Sequence, residues 1–403
     1  MIAAASIQEA AHDLHGEAIR IRRHIHRNPE LSFEERETAA FISSELGRAG
    51  IPHRTGIAGH GIVATVTGRR GADGPVVALR ADMDALPVTE AAEHEYASCR
   101  TGVMHACGHD GHSASLLTAG RILTRFADEV RGTVRLVFQP AEERAPGGAR
   151  AMVEAGVLEQ PRVLEVYGQH VNTELPAGTV GFAAGLFMAS ADEIYLTVRG
   201  RGGHAAKPHQ ANDPVIIAST LIVTLQQIVS RAADPIVPSV LTFGRVIANG
   251  AANVIPDSVE IAGTFRTVDE AWREEALRRI ERTAKEITAA LGGEAELRIV
   301  RGYPAVVNDP EVTAFARERA VEYLGAERVV ALPPAMWAED FAYYAQQRPA
   351  CFYNLGVRNE ERGIVHAVHT PRFNLDEDAL AVGAGLLAWI AVGALEARAA
   401  FAI

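Results

Sequence analysis

Strands that stay apolar almost from end to end, separated by helices, constrain this chain more than any other feature. GIVATVTG (61–68), PVVALRAD (75–82), GTVRLVFQP (132–140) and VLEVYGQHV (163–171) are near-continuous apolar runs bounded by turn residues. HSASLLTAGRILTRF (112–126) and GGARAMVEAG (147–156) carry helical spacing between them, the second closed by glycine. A helix over 7–27 stops at Asn28-Pro29, and another over 34–49 is closed by Gly50. Strands without in–out alternation are buried on both faces, so this βαβα rhythm predicts an α/β fold with a mostly parallel sheet covered by helices.

The rhythm changes near Gly185. A half-alternating strand (193–202), a long apolar helix (213–230), strands at 239–247 and 258–267, a charged amphipathic helix (269–291) and a strand (295–300) follow. Strand–helix–strand–strand–helix–strand is the split βαβ order of a ferredoxin-like α+β module. After Tyr303-Pro304 the text returns to helix and strand, with a further sheet strand at 350–356. The expectation is a discontinuous domain over 1–185 and 301–403, and an inserted ferredoxin-like domain over 186–300 that serves as lid and dimerisation unit.

Composition removes some function classes. A net charge of −11 leaves no basic surplus for neutralising phosphates, which argues against a nucleic-acid partner. Three cysteines, Cys99, Cys107 and Cys351, do not make a disulfide framework in a chain of 403 residues. The first residues lack a basic segment followed by an apolar one, and the Ala/Gly-rich run at 379–395 reads as a buried helix instead of a membrane span. A cytoplasmic protein without membrane partners is expected.

Polar clusters fall where the strands end, the edge at which open α/β sheets bind ligands. Asp82 and Asp84 follow one strand, Glu142 and Glu143 another, and His170 ends a third. Cys107, His109, Asp110 and His112 sit in MHACGHDGH, read as a loop before a helix. A lone cysteine or histidine is commonly an ordinary buried group. Three histidines, a cysteine and an aspartate within eight positions suit a transition-metal ion instead. Adjacent glutamates at an irregular strand end can serve one site in two roles, one as ligand and one as proton acceptor. Far along the chain, VHAVHTPRF offers His366 or His369, and the residues alone do not choose between them.

RRHIHRNPELSFEE, LRADMDALPV, MHACGHDGHSASLL, FQPAEE, GGHAAKPH and MWAEDFAYY closely resemble the M20 family of metallopeptidases and amidohydrolases. Within that family they are similar to the branch of hippurate hydrolases, N-acyl-L-amino-acid amidohydrolases and auxin-conjugate hydrolases. The resemblance runs through nearly the whole chain in motif order. It implies two divalent metal ions per subunit (manganese, zinc, nickel or cobalt) held by Cys107, His109, Glu143, His170 and His369. It implies Glu142 as the catalytic base, Asp84 as the residue that orients a ligand, and a supporting place for Asp82. It further implies that a homodimer partner supplies His204 to the opposite active site, and that Asn253 and Arg266 hold the substrate carboxylate. The chain departs from the pattern at Trp337-Ala338, at Gln169 and at Arg144-Ala145-Pro146, departures that bear on the substrate and leave the chemistry alone.

The function implied is metal-dependent hydrolysis of the amide bond of an N-acyl amino acid. A dipeptidase or carboxypeptidase with the same chemistry is the near alternative. A catalytically silent metal-cleft protein is the distant one, which Glu142 beside a full ligand set disfavours.

Overall fold

The structure, a computed structural model, describes residues 2–400 apart from Ala72 and Glu93. The chain forms two compact units, one of residues 1–187, 307–333 and 340–403, the other of residues 188–306 and 334–339. In the first unit, eight strands form one sheet in the order His53–Ile57, Gly61–Thr67, Thr133–Gln139, Val76–Asp82, Glu165–Pro176, Ala350–Arg358, Val180–Phe182, Val329–Ala331. Its four central strands, Thr133–Gln139 to Ala350–Arg358 in that order, run parallel, and antiparallel pairs lie toward both edges. Every residue of Val76–Asp82 and of Thr133–Gln139 is buried, which is what unalternating apolar strands require. The His109–Arg125 helix packs on the Val76–Asp82 strand and against the Asp378–Ala400 helix.

Two helices, Pro214–Ala232 and Asp378–Ala399, are long and apolar enough to cross a membrane. The second has 83% of its apolar window buried, so it is a core helix of the first unit. The expected helix over 7–27 is two helices, Ala4–Asp13 and His15–Arg27, broken at Leu14 with φ −92° and ψ 0°. The break falls on a leucine, with Gly16 two residues on, and the apolar spacing reads straight through it.

The second unit is a fully antiparallel four-stranded sheet in the order Ser239–Ile247, Ser258–Thr267, Ser190–Arg199, Glu294–Arg301. Along Ser190–Arg199 burial alternates, and Ile194, Leu196 and Val198 face the helices Pro214–Gln227 and Glu270–Ala290 in one core. Asp213 and Asp269 start those helices by accepting the N–H groups of Val215 and Trp272. Residues 334–339 join this unit because the Ala189 N–H is shared between the Ala335 and Trp337 carbonyls, at 3.1 and 3.0 Å. Such pairing between distant segments leaves no mark in local composition.

Candidate metal centre

One carboxylate organises the strand ends of the first unit. Asp84 lies just beyond Val76–Asp82 and is 1% exposed. Its Oδ1 accepts the Glu142 N–H at 3.0 Å and the His109 Nδ1–H at 3.1 Å, and its Oδ2 accepts the Glu143 N–H at 3.0 Å and the Ser32 hydroxyl at 2.6 Å. Burial alone would raise this carboxyl, but these donors outweigh it and hold it below its ordinary range. The backbone reaches that arrangement through Ala141, whose φ of +53° turns the chain sharply after the Thr133–Gln139 strand. Both glutamates therefore start from one point.

Cys107 and His109 flank Gly108, whose φ is +87° and whose missing Cβ would meet Val171 Cγ2 at 2.6 Å. Only glycine fits there, and it folds the two side chains toward one volume. His109 is not in a loop as the sequence suggests; it opens the His109–Arg125 helix, three residues before the apolar spacing starts. His170 likewise does not end its strand, which continues to Pro176 because it stays paired with Ala350–Arg358.

Around that volume, Cys107 Sγ lies 3.4 Å from His170 Nε2 and 3.3 Å from His369 Nε2. His109 Nε2 lies 3.9 Å from Glu142 Oε2 and 3.8 Å from Glu143 Oε1. Of the two histidines the sequence left open, His369 is the one whose Nε2 reaches Glu143 Oε1, at 3.2 Å. Its backbone is left-handed, φ +62°, and its N–H is anchored on the Ala106 carbonyl at 2.7 Å.

Hydrogen bonds on the far ring nitrogens select which faces look inward. His109 gives Nδ1–H to Asp84 and His170 gives Nδ1–H to the Val171 carbonyl at 2.8 Å, so each Nε2 lone pair points at the cluster. His112 is used up: Nδ1 donates to Asp82 at 2.6 Å and Nε2 accepts the Val171 N–H at 2.9 Å. Asp82 thus supports the site through His112 and Arg80, at 2.7 Å, and does not face the ligand volume.

The arrangement fits a metal ion on its own evidence. His109 Nε2 and Glu143 Oε1 are buried and make no hydrogen bond among the described residues. The 3.2 Å approach of Glu143 to His369 is close yet misaligned for a hydrogen bond, as expected of two groups aimed at a shared cation. Burial and the Glu143 and Glu142 carboxylates push the Cys107 thiol well above its ordinary value. Burial would lower His109, yet Asp82, Asp84 and Glu143 drive it up to about 10. The His109 shift, and the carboxylates' share of the Cys107 shift, reflect negative charge that a divalent cation would neutralise, reversing the balance at the thiol. Thiolate, imidazole and carboxylate together are a donor set for borderline transition ions.

Beneath the site lies a network of which the sequence pointed only to Asp82, in a supporting place. Arg80, fully buried, donates to Gln139 at 2.8 Å, Asp82 at 2.7 Å and Asp340 at 2.9 Å. Asp340 also accepts the Ala149 N–H at 2.9 Å, tying the helix after Glu143 to this floor. The signal was present: an arginine inside a buried apolar strand needs a fixed acidic partner. Asp110 is likewise committed, accepting from Arg22 at 2.7 Å and His26 at 2.9 Å; against the pull of burial, these two cations hold it far below the carboxylate range.

The other three candidates lie in the second unit. His204 is exposed in the two-residue strand Gly203–His204, paired with Val254, and its Nδ1 accepts the Ala206 N–H at 3.1 Å. Asn253 is exposed beside it, its carbonyl accepting the Ala205 N–H at 3.1 Å. Arg266 sits in Ser258–Thr267, reaching the Met336 carbonyl at 3.4 Å. It has no acidic partner among the described residues, and burial lowers its pKa.

A mostly parallel sheet that gathers a thiol, imidazoles and carboxylates at its strand ends, in a chain interrupted by an antiparallel unit, defines a metal-binding hydrolase. The chain belongs to peptidase family M20/M25/M40, whose model matches residues 78–392, and it is an amidohydrolase of that family. IAA-amino acid hydrolase ILR1-like 5 of Arabidopsis thaliana is 41% identical over 376 residues, 92% of this chain and 85% of that protein. Thermostable carboxypeptidase 2 of Saccharolobus solfataricus is 38% identical over 379 residues, 93% of this chain and 94% of that protein. The crystal structure of Bacillus subtilis YxeP, a dinuclear metal-binding peptidase of the M20 family, matches with a TM-score of 0.80 at 36% identity, over 95% of this chain and 99% of that one.

Proposed function

We propose that the protein hydrolyses the amide bond of N-acyl amino acids, with Glu142 as general base and with two divalent ions held by Cys107, His109, Glu143, His170 and His369. The observation that carries the substrate class is Arg266, a half-buried guanidinium without an acidic partner among the described residues. A free carboxylate satisfies it bidentately, and Asn253 adds a second polar contact. When bound, the ions supply Lewis acidity, polarising the acyl carbonyl and acidifying water. Glu142 takes the proton of the attacking water and returns it to the leaving amine, while Asp84 keeps His109 and both glutamate backbones in register. Three free thiols suit a reducing cytoplasm.

The test is a panel of N-acetyl, N-benzoyl and indole-acyl amino acids against dipeptides, each with Mn²⁺, Zn²⁺, Co²⁺ and Ni²⁺. N-acyl amino acids should turn over, and Arg266→Ala should raise their KM about tenfold or more, while the matching C-terminal amides lose little. A carboxypeptidase reading is favoured by the name of the Saccharolobus relative. It would prevail if dipeptides were cleaved and every N-acyl amino acid refused.

We further propose a homodimer in which each subunit's His204 serves the partner's site, stabilising the oxyanion. Its support is an unsatisfied surface on the second unit: Ile216, Val223 and Ile236 are 62%, 70% and 84% exposed. The sheet edges Ser239–Ile247 and Glu294–Arg301 also pair with no further strand of this sheet among the described residues. Mixing His204→Ala with Glu142→Gln subunits should restore activity that neither homodimer has, since one site in the heterodimer holds both Glu142 and a partner's His204. Silence despite demonstrated subunit exchange would place His204 outside the shared site.

A further inference from the structure

Glu35 is wholly buried, and its carboxylate is spent in an unusual way. It stands at the N-cap of the Arg36–Arg48 helix but makes no side-chain bond to that helix. One oxygen, Oε1, accepts the Phe33 N–H at 3.0 Å and the Ala141 N–H at 2.7 Å. Both partners are non-glycine residues held left-handed, Phe33 at φ +71° and Ala141 at φ +53°. The other oxygen, Oε2, is buried with no hydrogen-bond partner among the described residues. Ordinary capping would leave neither feature, because a cap carboxylate faces its own helix N–H groups.

We propose that Glu35 is a positioning residue for the Glu142–Glu143 pair, its carboxylate fixing the left-handed turn at Ala141 from which both side chains depart. An L-residue in that conformation persists only where its surroundings over-determine it. Three contacts do so here. Glu35 holds the Ala141 N–H, the Ala141 carbonyl accepts the Gly148 N–H at 2.9 Å, and Asp84 collects the next two N–H groups at 3.0 Å each. Removing the first lets the peptide ahead of Glu142 relax toward ordinary φ, which swings both carboxylates off the ligand volume. Burial and the neighbouring Asp84 charge push the Glu35 carboxyl up to about 7, consistent with a group kept dry for its hydrogen bonds and not for a salt bridge. The inference rests on the roles proposed for Glu142 and Glu143.

The experiment is a cycle between Glu35 and Ala141, read by kcat, KM and metal content. Glu35→Ala should lower kcat on the order of tenfold to a hundredfold with KM little changed, the scale of a misplaced reacting group. It should also weaken metal retention, because Glu143 moves with Glu142. Glycine adopts positive φ without strain, so adding Ala141→Gly to Glu35→Ala should recover several-fold in kcat and restore metal content. Glu35→Gln keeps an accepting oxygen and should rescue most of the loss. If Glu35→Ala proves insoluble, Glu35→Asp replaces it, one methylene too short to reach Ala141. Unchanged kcat and metal content in a folded Glu35 variant would overturn the proposal. So would a loss that Ala141→Gly does not relieve, since a merely structural glutamate would lower Tm without coupling to that turn. Failure of the Glu142 assignment shows up differently: Glu142→Gln would stay active while metal content still answered to Glu35 and Ala141.

Discussion

Glu142→Gln is expected to lower kcat by about a hundredfold or more while leaving metal content and Tm where they are. Glutamine is isosteric and removes only the proton acceptor. The backbone N–H of residue 142, which donates to Asp84 at 3.0 Å, is untouched, so the turn and its neighbour Glu143 stay in place. The rival carboxylates are poorly suited to replace it. Asp82 is held well below its ordinary range: burial opposes this, but His109, His112 and Arg80 prevail, and Asp84 is lowered by its donors against the same opposition. Asp110 is locked between Arg22 and His26. A carboxylate whose pKa is depressed is a weak base, which suits none of the three to taking a water proton. Metal analysis and single-turnover kinetics on the same preparation decide the matter. Turnover within a few-fold of the parent, with full metal, would remove Glu142 from the mechanism.

What could be read from the sequence was set by how local its cause is. The strand ends were legible because an apolar run buried on both faces has one carboxyl edge, and polar residues there stand out against the background. The start of the helix at His109 was not, because its first turn, His109 to His112, is buried by polar contacts with Asp82 and Asp84; no apolar stripe marks it. His170 was placed at a strand end for the same reason: polar residues follow it, yet pairing of Asn354 with His170 and Gly356 with Asn172 carries the strand on. Tertiary pairing overrides local propensity there. His369 came from the family resemblance, and its geometry depends on a hydrogen bond to Ala106, 263 positions away in the chain by residue number. Glu35 is one of three glutamates in PELSFEE. Nothing local separates it from Glu34, and only the fold brings it to Ala141. Arg80 and Asp340 lie inside motifs that carried the resemblance, but their pairing through 2.9 Å is again a product of the fold.

Exhaustive chelation is expected to abolish activity, and Cys107→Ser is expected to weaken metal binding without unfolding the protein. Cys107 is 7% exposed and touches two imidazole nitrogens, so a serine fits the space with a slightly shorter reach. The chemistry does not fit so well, because a hydroxyl stays protonated and hard where a thiolate is ionised and soft. Loss of an outer support of a metal ligand costs ten- to hundredfold in affinity, and loss of a ligand should cost at least that. The sign with pH follows from the ion-free site: burial and two carboxylates raise the thiol, so protons compete with the metal for Cys107. Metal retention in the parent should therefore fall as pH drops, and that pH dependence should flatten in Cys107→Ser, where no thiol proton is displaced. The measurement is metal stoichiometry by mass spectrometry after equilibration with a chelator across pH, with Tm recorded alongside. Full activity in protein shown to hold no metal would sink the metal-centred reading altogether. Equal metal retention by parent and Cys107→Ser at every pH would leave the ions in place but take Cys107 out of the ligand set, with Glu143, His170 and His369 the groups to test next.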